Sequence, residues 1–265
     1  MNPQLNEVFA KTKILATLGP NAHTSEDICK LILAGMDGVR LNFSHGTYEF
    51  YEKVFENINN ACKNENSPLA VLADLQGPKI RIGELSEPEI EIITGEKIEI
   101  TPENIKGTKE KISSSYSYLI NDANVGDQIL IDDGLIRLRV NEKKNNSIIC
   151  LIENGGILKP RKGMNLPGMK ISAPSLTEKD YRDLEFILQH RVDFVALSFV
   201  RSASDISILR GWLKQKNREI PIIAKIEKKE AVDSFDEILN TADGIMIARG
   251  DLGVELNPQE VPVIQ

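Results

Sequence analysis

Four short apolar runs in this chain each stop abruptly at polar or charged residues. Gly38–Leu41 runs into Asn42-Phe43-Ser44-His45-Gly46, and Leu69–Ala73 runs into Asp74. Pro221–Ala224 ends in Lys225-Ile226-Glu227, and Gly244–Ala248 ends in Arg249-Gly250-Asp251-Leu252-Gly253. Runs this short, bounded by turn residues, read as strands buried on both faces, which belong to parallel sheets wrapped by helices. In α/β folds the chemistry collects at the carboxyl ends of such strands. The four polar tails are therefore expected to converge on one site.

Two other stretches keep the same rhythm and a third departs from it. From Lys13 to Asp74 the pattern reads strand, helix, strand, helix, strand. Thr24-Ser25-Glu26-Asp27 supplies an N-cap with first-turn carboxylates. Phe50, Val54, Phe55, Ile58 and Cys62 then repeat at helical spacing until Pro68 ends the segment. Between about Ile82 and Asn165 alternation takes over, as in Ile90-Glu91-Ile92, Ile98-Glu99-Ile100 and Leu135-Ile136-Arg137-Leu138-Arg139-Val140. Asp133-Gly134 between two alternating runs is a hairpin signal, and the stretch predicts a small antiparallel β domain. After Asn165-Leu166-Pro167-Gly168 the βα rhythm resumes. Helices are expected from Thr177 to about His190, over Ala203–Asn217 and over Lys229–Asn240. Strands are expected over Phe194–Phe199, Pro221–Ile226 and Gly244–Ala248. Alternating elements imply a parallel sheet with right-handed crossovers. The expectation is one α/β domain formed by residues 1–81 and 166–265, with 82–165 inserted. Six strands fit an open doubly wound sheet or most of a barrel.

With 41% hydrophobic and 27% charged residues, a chain of 265 residues can bury a sizeable core under a soluble surface. No window approaches the roughly 18 uninterrupted apolar residues of a membrane span, and Met1–Lys13 lacks the apolar centre of a signal peptide. A net charge of −7 without a basic block argues against non-specific nucleic-acid binding. Cys29, Cys62 and Cys150 are odd in number, far apart and without CxxC spacing, which reads as free thiols in a reducing cytoplasm.

Lys225 and Glu227 stand two apart on a strand end, so both side chains point to one face. Buried there, they require pairing, hydration or an ion. Two readings stand: a salt bridge at a strand mouth, or a cation for charge stabilisation beside a metal-ligating carboxylate. Asp251 leaves the next run at a comparable height and adds weight to the second, because two carboxylates and a phosphate suit Mg²⁺. Gly250 and Gly253 bracket Asp251 in what reads as a turn, where backbone amides can approach a ligand closely. Arg40, Asn42 and Ser44 alternate and share a face, and Arg is the natural bidentate partner of phosphate. His45 reads as a structural hydrogen-bonding group, since proton transfer needs a partner that the sequence does not place. Asp74-Leu75-Gln76-Gly77-Pro78-Lys79-Ile80-Arg81 joins the third strand to the insertion, so Lys79 and Arg81 lie where an inserted lid would fold over a phosphorylated ligand. Arg161-Lys162-Gly163 marks the return. For both hinges a plain turn and a solvated charge run are the alternatives.

Taken together, these segments resemble pyruvate kinase. The resemblance rests on Lys13-Ile-Leu-Ala-Thr-Leu-Gly-Pro20, Arg40-Leu-Asn-Phe-Ser-His-Gly46, Asp74-Leu-Gln-Gly-Pro-Lys-Ile-Arg81 and Lys162-Gly-Met-Asn-Leu-Pro-Gly168. It extends through Ser198-Phe-Val-Arg201, Lys225-Ile-Glu227 and Asp243-Gly-Ile-Met-Ile-Ala-Arg-Gly-Asp-Leu-Gly253, in family order. It implies a (β/α)₈ TIM barrel interrupted after strand three by an antiparallel β-barrel lid, of which six barrel strands are present. The implied reaction moves phosphate from phosphoenolpyruvate to ADP, giving pyruvate and ATP in the last step of glycolysis, in the cytoplasm. By resemblance Arg40 holds the transferring phosphoryl group, and Lys225 stabilises its charge and that of the enolate. Glu227 and Asp251 bind the essential Mg²⁺, and the Gly250 amide meets the substrate carboxylate. Arg81, Lys162 and the turn of Asn42, Phe43, Ser44 and His45 contact the nucleotide. The monovalent-cation site of the family corresponds to Asn42, Ser44, Asp74 and the carbonyl of Leu75. Potassium-dependent members carry a glutamate where this chain has Lys79, so K⁺ is expected not to be required. Full-length members form homotetramers. The chain stops at Gln265, before the family's last two strands, its strand-seven threonine and its C-terminal domain, so the isolated 265 residues are expected not to turn over. Two rival readings are an inactive fragment and another Mg²⁺-dependent barrel enzyme acting on phosphoenolpyruvate or a 2-oxo acid.

Overall fold

The computed structural model describes residues 11–265; residues 1–10, the greater part of the N-terminal stretch read above, lie outside the described residues. The chain divides into two compact units, one of residues through 76, 178–196 and 219–222, the other of 77–177, 197–218 and 223–265.

In the first unit the elements are β1 (Leu15–Leu18), α1 (Ser25–Leu33), β2 (Gly38–Asn42), α2 (Tyr48–Glu65) and β3 (Ala70–Asp74). Thr24 starts α1 through a reciprocal box with Asp27: the Asp27 amide donates to Thr24 Oγ1 at 3.2 Å and the Thr24 amide to Asp27 Oδ2 at 3.3 Å. Thr47 caps α2, and Asn66 ends it in the left-handed conformation at φ +48°. Tyr51, Val54, Phe55, Ile58 and Ala61 form the buried stripe of α2, at the three-and-four spacing of one helix face. Both neighbours of β2 run parallel to it, and the β2–β3 register sets Asn42 opposite Asp74.

The second unit holds the alternating stretch: β4 (Ile90–Ile92), β5 (Lys97–Thr101), β6 (Lys111–Ser113), α3 (Leu119–Asp122), β7 (Gln128–Ile131), β8 (Ile136–Lys143), β9 (Ile148–Asn154), β10 (Gly156–Leu158) and β11 (Met164–Asn165). Six of these strands pair in the order β11-β7-β8-β9-β5-β6, and β10 pairs with β4. Along β8 the buried Ile136, Leu138 and Val140 alternate with exposed Arg137 and Arg139, so one face joins the core of Ile98, Ile100, Ile129, Ile131 and Ile152. One pairing departs from the antiparallel expectation. β6 runs parallel to β5, because the nine residues between them cross over instead of turning back as a hairpin.

The remaining elements are α4 (Glu178–Ile187), β12 (Phe194–Leu197), α5 (Ala203–Gln215), β13 (Ile222–Ile226), α6 (Lys229–Asp233), α7 (Phe235–Thr241), β14 (Gly244–Ile247), α8 (Arg249–Glu255) and α9 (Val261–Ile264). In the first unit β12 joins β3 in parallel, and Val195 donates to the Pro221 carbonyl at 3.0 Å as the chain enters β13. In the second, β13 and β14 pair in parallel from Ile223–Gly244 to Ile226–Ile247. In the first unit the parallel strands follow the order β1-β2-β3-β12. Two sequence expectations are corrected here. The single helix over Lys229–Asn240 is two, divided at Ser234 (φ −103°, ψ 21°). Ser-Phe-Asp-Glu starts a second first turn rich in carboxylates, which suits a helix beginning. The glycine-flanked segment Arg249–Gly253, read as a turn, lies inside α8. Among the described residues no helix is long and apolar enough to cross a membrane.

Candidate active site

The sequence-derived site residues fall in two groups, one in each unit. In the first, Arg40 on β2 reaches Asp74 at the end of β3: Nε donates to Oδ2 at 2.7 Å and Nη2 at 2.5 Å, while Nη1 donates to Thr17 Oγ1 at 3.0 Å. Asp74 is fully buried and Arg40 only half-buried, so the carboxylate anchors a guanidinium whose outer edge meets solvent. The chain after β2 turns tightly. Asn42 Oδ1 accepts from the Ser44 amide at 3.1 Å, and the Asn42 carbonyl accepts from the His45 amide at 3.3 Å and the Tyr51 hydroxyl at 2.6 Å. Burial, helped by the charge of Asp183, pushes Tyr51 up to about 12, so it stays protonated and able to donate. His45 is exposed at the turn and Ser44 half-buried. Phe43 is a packing residue: its ring stacks on Tyr51 with centroids 4.3 Å apart, and its carbonyl accepts from Lys179 Nζ at 2.6 Å. Leu75 is likewise fully buried, its amide donating to the Ala196 carbonyl at 3.0 Å.

In the second unit Lys225 and Glu227 leave the end of β13, 7% and 1% exposed. Lys225 Nζ lies 2.9 Å from Glu227 Oε1 and donates to Ser198 Oγ at 2.8 Å. Glu227 Oε2 accepts from the Phe199 amide at 2.7 Å. That amide is aimed by an unusual backbone, since Phe199 is a non-glycine residue at φ +54°, a conformation that costs on the order of 1 kcal/mol. Gly77 makes room for it: at φ +66° a Cβ there would meet the Phe199 ring and Ser198 at 3.1 Å. Burial pushes the Glu227 carboxyl above its ordinary range, Lys225 opposes that, and the Asp251 charge adds to it. Asp251 stands in the first turn of α8, where the N–H groups, that of Gly250 among them, have no acceptor within the helix.

A cavity of about 200 Å³ in the same unit is lined by Lys79, Arg81, Lys162, Asp132, Asp251 and Glu255, among others. Two backbone bonds join the outgoing and returning hinges, Ile82 amide to Lys162 carbonyl and Met164 amide to Ile80 carbonyl, both at 2.9 Å. Arg81 Nη1 donates to the Arg161 carbonyl at 3.1 Å, and Lys162 pairs with Asp132 at 2.8 Å. Lys79 is half-buried beside them. The cavity thus groups cations suited to phosphate oxygens with an acidic end at Asp251 and Glu255.

Oxygen donors are what Mg²⁺ prefers, and Glu227 and Asp251 supply two. Their mutual charge, felt by Glu227 while buried, is what a divalent cation would neutralise. Among the described residues no three His, Cys, Asp or Glu side chains converge on a metal. Ser198, Phe199, Asp132, Lys228 and Glu255 belong to this site and were given no role from the sequence. Ser198-Phe199 stands within a quoted family segment, but its aim at Lys225 and Glu227 depends on a backbone angle that no pattern reveals.

Residues 9–265 match the family described as pyruvate kinase, barrel domain. Pyruvate kinase of Geobacillus stearothermophilus is 46% identical over 258 residues, which cover 96% of this chain and 44% of that protein. Pyruvate kinase of Corynebacterium efficiens is 44% identical over 255 residues, covering 96% and 54%. The crystal structure of a pyruvate kinase from Cryptosporidium parvum superposes with a TM-score of 0.91 at 39% identity, covering 96% of this chain and 53% of that one. The chain spans about half the length of the relatives it matches.

Proposed function

The chain belongs to the pyruvate kinase family, and we propose that its site serves phosphoryl transfer from phosphoenolpyruvate to ADP, giving pyruvate and ATP. The observation that carries this reading is the Lys225–Glu227 pair at the end of β13, buried and backed by Ser198 and Phe199, with the Asp251 charge beside it. Phosphoryl transfer asks a protein mainly for positioning and charge neutralisation, and these residues supply both. Mg²⁺ held by Glu227 and Asp251 would neutralise charge on the phosphoryl and enolate oxygens. Lys225, pinned by Ser198, faces the charge that develops as the phosphoryl group leaves. Arg40, oriented by Asp74 and Thr17, holds the phosphoryl group. Arg81 and Lys162 bind nucleotide phosphates, with the turn of Asn42, Ser44 and His45 as a further nucleotide contact. The Gly250 amide takes the substrate carboxylate, and the segment carrying β4 to β11 acts as the lid.

Lys79 is proposed to replace the monovalent cation. A tethered ammonium supplies one positive charge, and a second cation beside it would be repelled. The test is ATP formation from phosphoenolpyruvate and ADP with Mg²⁺, in potassium-free and sodium-free Tris buffer, by the chain completed with the remaining barrel strands of its relatives. Turnover without potassium is expected, and Lys79→Glu should lower it and create a response to added potassium. No ATP formation under any ionic condition overturns the reaction. A strong potassium requirement removes only the role of Lys79.

A further inference from the structure

Lys228 and Glu255 form a second buried ion pair in the second unit, with no part in the roles assigned above. Nζ lies 3.2 Å from Oε1, and the two side chains are 9% and 2% exposed. Asn165 Nδ2, on β11, donates to the same Oε1 at 3.4 Å. Glu255 Oε2 is buried without a hydrogen-bond partner. A buried pair with one oxygen unsatisfied is poor stabilisation, because desolvation offsets the attraction and an apolar pair of the same shape would serve as well. Its position in the chain gives it a different use. Lys228 is the residue after Glu227, and Glu255 ends the helix whose first turn carries Asp251. Asp251 and Glu255 are four apart on α8, so they stand one above the other on the same face. Lys228, Asp251 and Glu255 all line the one cavity.

We propose that the Lys228–Glu255 pair is a strut that fixes Asp251 relative to Glu227, so that two mutually repelling carboxylates are held at the spacing a divalent cation needs. Lys228 and Glu255 are positioning residues and touch neither metal nor substrate. The pair ties the end of β13 to the far end of α8, and the helix transmits that anchor to Asp251. Asn165 brings the strand returning from the β4–β11 segment to the same carboxylate. Residues that orient metal ligands from behind typically change metal affinity about 10–100-fold when removed.

The inference rests on the metal reading of Glu227 and Asp251, and the test separates the two. Mn²⁺ binding to the intact protein is measured by titration calorimetry without substrates, alongside the thermal midpoint. Glu255→Gln and Lys228→Met should each weaken Mn²⁺ binding about tenfold or more, and Lys228→Arg should retain it within about threefold. The double variant Lys228→Met/Glu255→Met removes both charges, so its thermal midpoint should return close to that of the unaltered protein while Mn²⁺ affinity stays low. A merely structural pair would recover both. Glu227→Gln is the control. If it loses Mn²⁺ while the double variant binds as the unaltered protein does, the strut is wrong and the metal site stands. If Glu227→Gln binds normally, the metal reading falls and the strut with it. Should the double variant fail to fold, Lys228→Arg against Lys228→Met decides: equal affinities overturn the proposal.

Discussion

At the ends of β2 and β3 a buried carboxylate, Asp74, faces a half-buried guanidinium; at the end of β13 a buried carboxylate, Glu227, faces a buried ammonium with a second acid nearby. Both ends use an ion pair, and the difference lies in what each can accept. Arg40 is anchored on one side by Asp74 and Thr17 and keeps an outer edge toward solvent, where an anion can bind without breaking the anchor. Glu227 is already bonded by the Phe199 amide and Lys225, yet burial, joined by the charge of Asp251, still pushes its carboxyl up. Under the proposed function the first end takes a phosphate and the second a cation. On that reading an acid and a base at a strand mouth serve opposite ligands through exposure and the third charge.

The largest effect expected from this contrast is at Lys225. Lys225→Met in the intact protein should lower kcat by on the order of 10²–10³ or more while phosphoenolpyruvate affinity changes little, since the charge is needed most in the transition state. Near-normal turnover, measured by steady-state kinetics with direct substrate binding, would end the claim that the second end carries the chemistry. A smaller effect is expected at the first end. Arg40→Lys keeps the charge but loses the fork that bonds Asp74 and Thr17 together, and misplacement of this kind costs about 10²-fold. It should fall mainly on kcat/KM for phosphoenolpyruvate and leave Mn²⁺ binding untouched. If Arg40→Lys instead weakens Mn²⁺ binding as Glu227→Gln does, the division between an anion end and a cation end is wrong.

The two ends also differ in how far the sequence exposed them. Polar tails on apolar runs pointed to Asp74, Lys225, Glu227 and Asp251, and alternation with Asn42 and Ser44 to Arg40, because strand burial and side-chain alternation are local rules. The strand–helix rhythm was legible for the same reason: β8 shows its alternation in five consecutive residues, and Thr24 declares α1 in four. What stayed hidden depends on geometry that the local pattern does not hold. Phe199 aims its amide at Glu227 through a left-handed φ that nothing in an aromatic residue announces. Glu255 looks like an ordinary helix-end acid until Lys228, 27 residues away, is found 3.2 Å from it. The parallel pairing of β5 with β6 depends on a crossover, and two glycines made α8 read as a turn although its helix carries Asp251. Ser234 is the exception, a helix start that Ser-Phe-Asp-Glu spells out and that the reading of one long helix passed over.

The smallest prediction concerns a carboxylate whose charged form is held by donors. Asp122, in the same unit as Glu227, is also a partly enclosed carboxylate, and its surroundings are of the opposite kind. Burial raises it, but the Tyr116 hydroxyl and Ser172, whose amide donates at 2.8 Å and hydroxyl at 2.7 Å, hold its carboxyl below the usual range overall. Tyr116 in turn is pushed up to about 12, first by burial and then by Asp122, so it remains a donor. The sign follows from linkage. A folded-state pKa below the unfolded one, which is near 3.9, gives stability that is present above that value and lost as pH falls through the folded one. Asp122→Asn should therefore lower the thermal midpoint modestly at pH 7 and flatten its decline below about pH 4. A decline in the variant as steep as in the unaltered protein would mean that the Tyr116 and Ser172 donors do not hold Asp122 in its charged form.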